Sequence, residues 1–289
     1  MGAADETFEI PGAEAHPLAG TTMTGAEMIV RVLADEGVDT IFGYSGGAIL
    51  PTYDAVFVYN KREQDAGRHG MPLIVPANEQ GAGFMAAGYA RASGKVGVAM
   101  VTSGPGATNM VTPIRDCMAD SVPVVMICGQ VPTAAIGSDA FQEAPVPSIM
   151  GSVAKHVFLV TDPARLEATV RTAFEIARTG RPGPVVVDIP KDVQNWQGTF
   201  HGAVRLPIPG YRQRLARLHG SRLGPEACDE FFRMLGAAHR PLIYAGGGVI
   251  NGAAAQALRE FSQAFQVPVV TTLMGIGAVD TTDRLSLRM

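Results

Sequence analysis

The feature that most constrains this chain is a unit that recurs along it: a short, nearly continuous apolar run, a turn of small residues, then a helix-like stretch. Residues 38–42 are such a run, and they empty into Gly43-Tyr44-Ser45-Gly46-Gly47-Ala48. Residues 73–76 are a second, followed by an alanine-rich helix over 79–91. Residues 96–102 lead into Ser103-Gly104-Pro105-Gly106 and a helix over 107–119, where Pro113 predicts a kink or a later start. Two more runs cover 123–128 and 184–189, and between them Asp162-Pro163 caps a helix that ends at Gly180. Strands apolar on both faces and alternating with helices predict an α/β fold, a doubly wound parallel sheet covered on both sides. In such sheets ligands sit at the carboxyl ends of strands, where the glycine turns are.

The rhythm has limits. Order is expected from Thr24, where Thr24-Gly25-Ala26-Glu27 has capping-box spacing. Residues 1–21, with Asp5, Glu6, Glu9, Glu14, Pro11 and Pro17, read as a loose tail, and 22–193 as the first domain. Residues 194–223 break the pattern with prolines and an arginine-rich run, and read as a linker with a solvated basic face. A second rhythm occupies 224–289: helix 225–235, strand 241–245, helix 253–265, strand 267–271. So short a segment predicts a truncated central domain.

Composition narrows the function. A chain of 289 residues with 47% hydrophobic and 17% charged residues is not disordered over most of its length. A net charge of −4 gives no reason to expect nucleic acid or an anionic membrane as partner. No apolar stretch is long enough for a transmembrane helix, and the N-terminus lacks a secretory h-region. Cys117, Cys128 and Cys228 have no metal-ligand spacing, so they read as small buried hydrophobes in a reducing, cytoplasmic compartment.

Three features sit at expected strand ends. The turn through Gly46 and Gly47 fits a tight βα connection as well as a backbone cradle for a polar ring or anion. Glu79, opening its helix, fits a favourable dipole pairing as well as a buried carboxylate that holds or passes a proton. Residues 102–109, rich in small residues, can approach a phosphate but lack the Gly-Lys-Ser/Thr of a Walker motif. Gly246-Gly247-Gly248 is not a complete dinucleotide fingerprint.

Taken together and in this order, these stretches resemble the pyrimidine-binding domain of thiamine diphosphate enzymes. More narrowly, the chain is similar to catalytic subunits of the acetolactate synthase (acetohydroxyacid synthase) family. The specific stretches are Phe42 through Pro51, Thr102 through Asn109, Gly129-Gln130-Val131-Pro132, Ile136 through Glu143, Lys155-His156 and Gly180 through Val193. The resemblance implies condensation of pyruvate with a second 2-ketoacid in branched-chain amino-acid synthesis. It implies that Glu79 hydrogen-bonds the aminopyrimidine of the cofactor and favours the tautomer able to take a proton from the thiazolium carbon. It places Tyr44, Gly46 and Gly47 in the turn at the reacting centre and Gln142 near the substrate. It puts Phe141, Lys155 and Lys191 around the substrate channel. It assigns Arg181, Gly246, Gly247, Thr272, Leu273 and Met274 to FAD. The implied partners are further copies of the chain and, for the full-length enzyme, a regulatory small subunit.

Several residues depart from the family pattern: Asn78 where histidine is usual, Ser45 where proline is usual, and Gly151 in place of a common arginine. These touch substrate preference rather than the retained glutamate. The family's Gly-Asp-Gly motif and downstream Asn, which hold Mg²⁺ and the diphosphate, do not occur in these 289 residues. The expectation is an incomplete form with half an active site and no activity alone. Alternatives are another thiamine diphosphate enzyme, of the pyruvate oxidase or sulfoacetaldehyde acetyltransferase type, or a non-catalytic truncated product.

Overall fold

A computed structural model describes residues 8–9, 16–220 and 223–289. The chain divides into two compact units, Met1–Ala216 and Arg217–Met289.

In the first unit, β1 (Phe8–Glu9) and β2 (Thr22–Thr24) precede α1 (Gly25–Asp35). Thr24 closes the expected capping box: its hydroxyl accepts from Glu27 N at 3.2 Å, and the Glu27 carboxylate accepts from Thr24 N at 2.8 Å. There follow β3 (Ile41–Tyr44), α2 (Leu50–Asp65), β4 (Leu73–Ile74), α3 (Glu79–Ser93), β5 (Gly97–Val101), α4 (Pro105–Asn109), α5 (Val111–Asp120) and β6 (Val124–Gln130). Next come α6 (Val146–Met150), β7 (His156–Leu159), α7 (Leu166–Arg178), β8 (Val185–Pro190), α8 (Lys191–Asn195), β9 (Gln197–Thr199), β10 (Val204–Arg205) and α9 (Tyr211–Gly220), which crosses the unit boundary.

Six strands form one parallel sheet in the order β4-β3-β5-β6-β8-β7. Alternate residues feed opposite faces. Val98, Met100, Val125, Ile127, Val185 and Val187 pack with α1, α2 and α7. Ala99, Val101, Val124, Met126 and Val186 pack with α3 and α5. The chain leaves β3 towards α2 on one face and β5 towards α4 and α5 on the other. The carboxyl ends of these adjacent strands are therefore the switch point, where an open parallel sheet leaves a crevice.

Helix α3 lies unusually close because its inner face is Ala82, Gly83, Ala86, Ala87 and Ala90. A Cβ on Gly83 would stand 2.5 Å from Pro113 Cγ, and one on Gly97 would stand 2.2 Å from the Ala86 carbonyl oxygen. This close packing fixes the height at which the helix presents its first residue, Glu79.

The expected tail and linker differ in the structure. Phe8 and Glu9 pair antiparallel with Arg205 and Val204, and Leu18 packs against the core. Residues 1–7 and 10–15 of the tail lie outside the described residues. The first part of the expected linker belongs to the first unit. Strand β9 pairs with β2, while Trp196, Phe200, Ile208 and Tyr211 join the core. Those apolar side chains cover α1 and α7, a role that local composition does not reveal.

The second unit contains α10 (Pro225–Ala237), β11 (Ile243–Ala245), α11 (Gly247–Asn251), α12 (Ala255–Phe265) and β12 (Val269–Thr271). Strands β11 and β12 pair in parallel. Helix α10 buries none of its residues, and Phe231, Phe232 and Met234 stay exposed. Among the described residues, no helix is long and apolar enough to cross a membrane.

Candidate active site

At the β3/β5 switch point three segments converge. The turn after β3 brings Gly46 against Thr102: a Cβ there would stand 2.5 Å from Thr102 Cγ2. The Thr102 hydroxyl accepts from Ala48 N at 3.3 Å. From the other side Gly106 approaches the same methyl, which its own Cβ would meet at 2.7 Å, and that Cβ would lie 3.3 Å from Glu79 Oε1. The two glycines thus pack their backbone directly on Thr102, where any side chain would collide with it, and present a floor of bare backbone. A flat ring can rest on such a floor.

Glu79 is the first residue of α3, and Asn78 caps that helix by accepting from Gly81 N at 2.9 Å. Glu79 is buried, with 8% of the residue exposed. Its Oε2 accepts from Asn109 Nδ2 at 2.8 Å. No group among the described residues donates a hydrogen bond to Oε1, the oxygen beside Gly106. A buried carboxylate with one oxygen held and the other open towards a glycine floor is suited to accept a hydrogen bond from a ligand.

The loop carrying Phe141 and Gln142 closes over this region. Gly104 has φ of +51° and meets the Gln142 backbone so closely that a Cβ would stand 2.3 Å from the Gln142 carbonyl oxygen. Glu143 fixes the loop by accepting from Gly137 N and from Ala140 N. Phe141 is 87% exposed, and Lys191 starts α8 at the carboxyl end of β8, on the same edge of the sheet.

Lys155, expected around the substrate channel, and Arg181, expected at FAD, lie away from this crevice. Lys155 precedes β7, at the amino edge of the sheet, and its ammonium donates to the carbonyls of Ile176 and Thr179 at the end of α7. Burial lowers its pKa to about 8. Arg181 donates to Ser121 Oγ at 2.8 Å and to the carbonyls of Met118 and Ala119, capping the end of α5. Helix ends left with unpaired carbonyls attract such cations, and this engages both side chains away from Glu79.

In the second unit, Gly246, Gly247, Thr272 and Met274 meet at the carboxyl ends of β11 and β12. A Cβ on Gly247 would stand 2.9 Å from Met274 Cβ, and Thr272 N donates to the Ala245 carbonyl at 2.9 Å. Leu273 is exposed beside them. Among the described residues, no cluster of three His, Cys, Asp or Glu side chains could hold a metal ion.

Sequence reasoning named the stretch 102–109 but not Thr102 as the floor or Asn109 as the partner of Glu79. It also missed a buried polar group beneath them. Asp188, on β8, is fully buried; its Oδ2 accepts from Gln130 Nε2 at 3.0 Å and its Oδ1 has no partner. Gln130 also donates to the Ala144 carbonyl at 3.1 Å, at the root of the Gln142 loop. Cys128, opposite Asp188 in the register, sits with Sγ 3.4 Å from the Thr102 carbonyl oxygen. Cys117 and Cys128 are thus the small buried side chains expected, whereas Cys228 is only half-buried. Burial pushes the Cys128 thiol well up, and burial raises Asp188 to about 7.

Comparison with known proteins gives the family. Residues 23–150 match the family model described as thiamine pyrophosphate enzyme, N-terminal TPP binding domain, and residues 228–289 match the model of the central domain. Similar proteins include the acetolactate synthase large subunit of Mycobacterium tuberculosis, 46% identical over 267 residues, covering 92% of this chain and 41% of that protein. The large subunit of Corynebacterium glutamicum is 45% identical, covering 92% of this chain and 40% of that protein. The mitochondrial catalytic subunit of Saccharomyces cerevisiae is 45% identical over 276 residues, with 92% and 38% covered. The chain thus spans about two fifths of the length of the curated relatives it matches. Both matched models describe one group of enzymes, and the first spans the strands, turns and helix that assemble the Glu79 crevice: the chain belongs to the thiamine pyrophosphate enzyme family.

Proposed function

We propose that this chain carries the pyrimidine half of an acetolactate synthase site, which condenses pyruvate with a second 2-ketoacid. The observation that carries the reading is Glu79, a buried residue whose Oε1 has no hydrogen-bond donor among the described residues and stays open beside Gly106. When bound, thiamine diphosphate supplies the electron sink for 2-ketoacid chemistry. The rest is the work of this chain's residues. Asn109 holds Glu79 Oε2 and so aims Oε1 at the crevice. The carboxylate then accepts from, and controls the protonation of, a ring nitrogen placed there. Gly46 and Gly106 admit the flat ring, and the Gln142 loop, tied by Glu143, covers the reacting side.

FAD is assigned to Gly246, Gly247, Thr272, Leu273 and Met274, where bare backbone meets at two strand ends. The described residues do not fit a magnesium site, and no step is assigned to one. Self-association, a small-subunit partner and a cytoplasmic compartment belong to the same reading of the family, and the relative from yeast carries a mitochondrial label in its name.

The test is a chimera in which residues 22–289 replace the matching segment of the Corynebacterium relative. It should form acetolactate from pyruvate, and Glu79→Gln should lower kcat by about 10²-fold or more with folding intact. The 289-residue chain alone should form none. A chimera that folds but acts on no 2-ketoacid, or a Glu79→Gln chimera within a few-fold of its parent, would contradict the reading.

A further inference from the structure

A cavity of about 230 Å³ lies between α1, α2 and the segment that leads into β2, and shares no residue with the Glu79 crevice. Its aliphatic wall is Leu18, Met23, Val30, Ala55 and Val58. Its polar rim is Arg31, Arg62, Tyr59, Thr22 and Glu27. The Arg31 guanidinium lies over the Tyr59 ring, 5.6 Å from its centroid.

What distinguishes this cavity is how the nearby charges are committed. Glu27 Oε2 is held by the Thr24 amide and hydroxyl, at 2.8 and 3.0 Å. Asp35, one turn beyond Arg31, binds Arg171 at 2.6 Å and His16 at 3.2 Å. Glu63, next to Arg62, pairs with Arg68 at 2.7 Å. Each carboxylate near the two arginines therefore has another partner. Neither Arg31 nor Arg62 has a carboxylate within ion-pair distance among the described residues. Arg31 and Arg62 thus both line one partly apolar cavity, against the single carboxylate of Glu27, in a chain whose net charge is −4.

We propose that this cavity binds a small aliphatic carboxylate. Arg31 and Arg62 would hold the carboxylate, as guanidinium forks do. The short apolar body would lie against Val30, Ala55 and Val58. A phosphate satisfies the arginines but leaves the aliphatic wall uncovered, and a neutral alcohol does the reverse.

The experiment titrates the 289-residue chain with butyrate, inorganic phosphate and n-butanol by calorimetry. Butyrate should bind saturably, and at least about tenfold more tightly than either comparison compound. The double variant Arg31→Gln/Arg62→Gln should lose about tenfold or more in butyrate affinity while its circular dichroism and Tm stay unchanged. Val58→Trp, at an exposed position of the aliphatic wall, should block binding while both arginines remain. No saturation by butyrate overturns the proposal. So does equal binding of phosphate, which would indicate an anion subsite without an aliphatic one. Unchanged affinity in both variants would place the butyrate elsewhere and would also overturn it.

Discussion

Glu79 does what its neighbours allow. The Asn109 amide holds one oxygen of its carboxylate, and the bare backbone at Gly106 leaves the other reachable. Taken alone, the residue fitted a dipole partner as well as a functional carboxylate, because its surroundings are non-local: Asn109 lies thirty residues on, and Gly106 arrives from another strand. Asp188 was illegible for the same reason. It stands in an apolar strand, and only the register opposite Cys128 and the reach of Gln130 reveal its setting. Its chemistry gives a signed prediction. Burial raises its folded pKa to about 7, above the usual carboxylate value. Between about pH 4 and 7 the folded state keeps a proton that the unfolded state has released, so stability falls as pH rises. The contribution approaches about 1.4 kcal/mol per pH unit. Asp188→Asn should flatten this part of the profile in urea unfolding at pH 5, 6 and 7. A variant profile parallel to the parent's would assign the slope to other groups.

The elements were the most legible level. Apolar runs predicted at 96–102, 123–128 and 184–189 appear as Gly97–Val101, Val124–Gln130 and Val185–Pro190. The expected interruption at Pro113 is a break between two helices at Met110, with the proline in the first turn of α5, where no amide donor is missed. Strand β7 and helix α2 were not read. β7 is short and only part-buried, and α2 has a weak apolar periodicity with Tyr53, Ala55 and Val56 buried. The order of strands, and hence the switch point, is a property of pairing that no local pattern encodes. The close seat of α3 gives the prediction at this scale. Gly83→Val would drive its branches into Pro113 and Met110, which already bracket the glycine. It should destabilise the chain by about 1–3 kcal/mol. It should also shift the Glu79 and Asn109 signals in NMR spectra, whereas Gly88→Ala, with open space around it, should leave both unchanged. Equal stability in the two variants would show that α3 does not need its close packing.

At the scale of the whole molecule, the edge strand β4 and the helices before and after it in the chain carry exposed apolar side chains. Ile74 and Val75 lie on and just after the two-residue edge strand β4, with Phe57 and Val58 on α2 and Phe84 and Met85 on α3. Edges and patches of this kind favour association. Light scattering at micromolar concentrations should therefore give a mass above that of one 30.3 kDa chain, and a clean monomer would contradict this expectation.

The central claim, that the Glu79 crevice receives an aminopyrimidine, can be tested without the rest of the enzyme. The 289-residue chain, labelled with ¹⁵N, is titrated with 4-amino-5-hydroxymethyl-2-methylpyrimidine. Saturable shifts are predicted for the Gly46 and Gly106 amides and the Asn109 side-chain amide, and they should vanish in Glu79→Ala. Shifts that bypass these groups, or that persist in the variant, would contradict the claim.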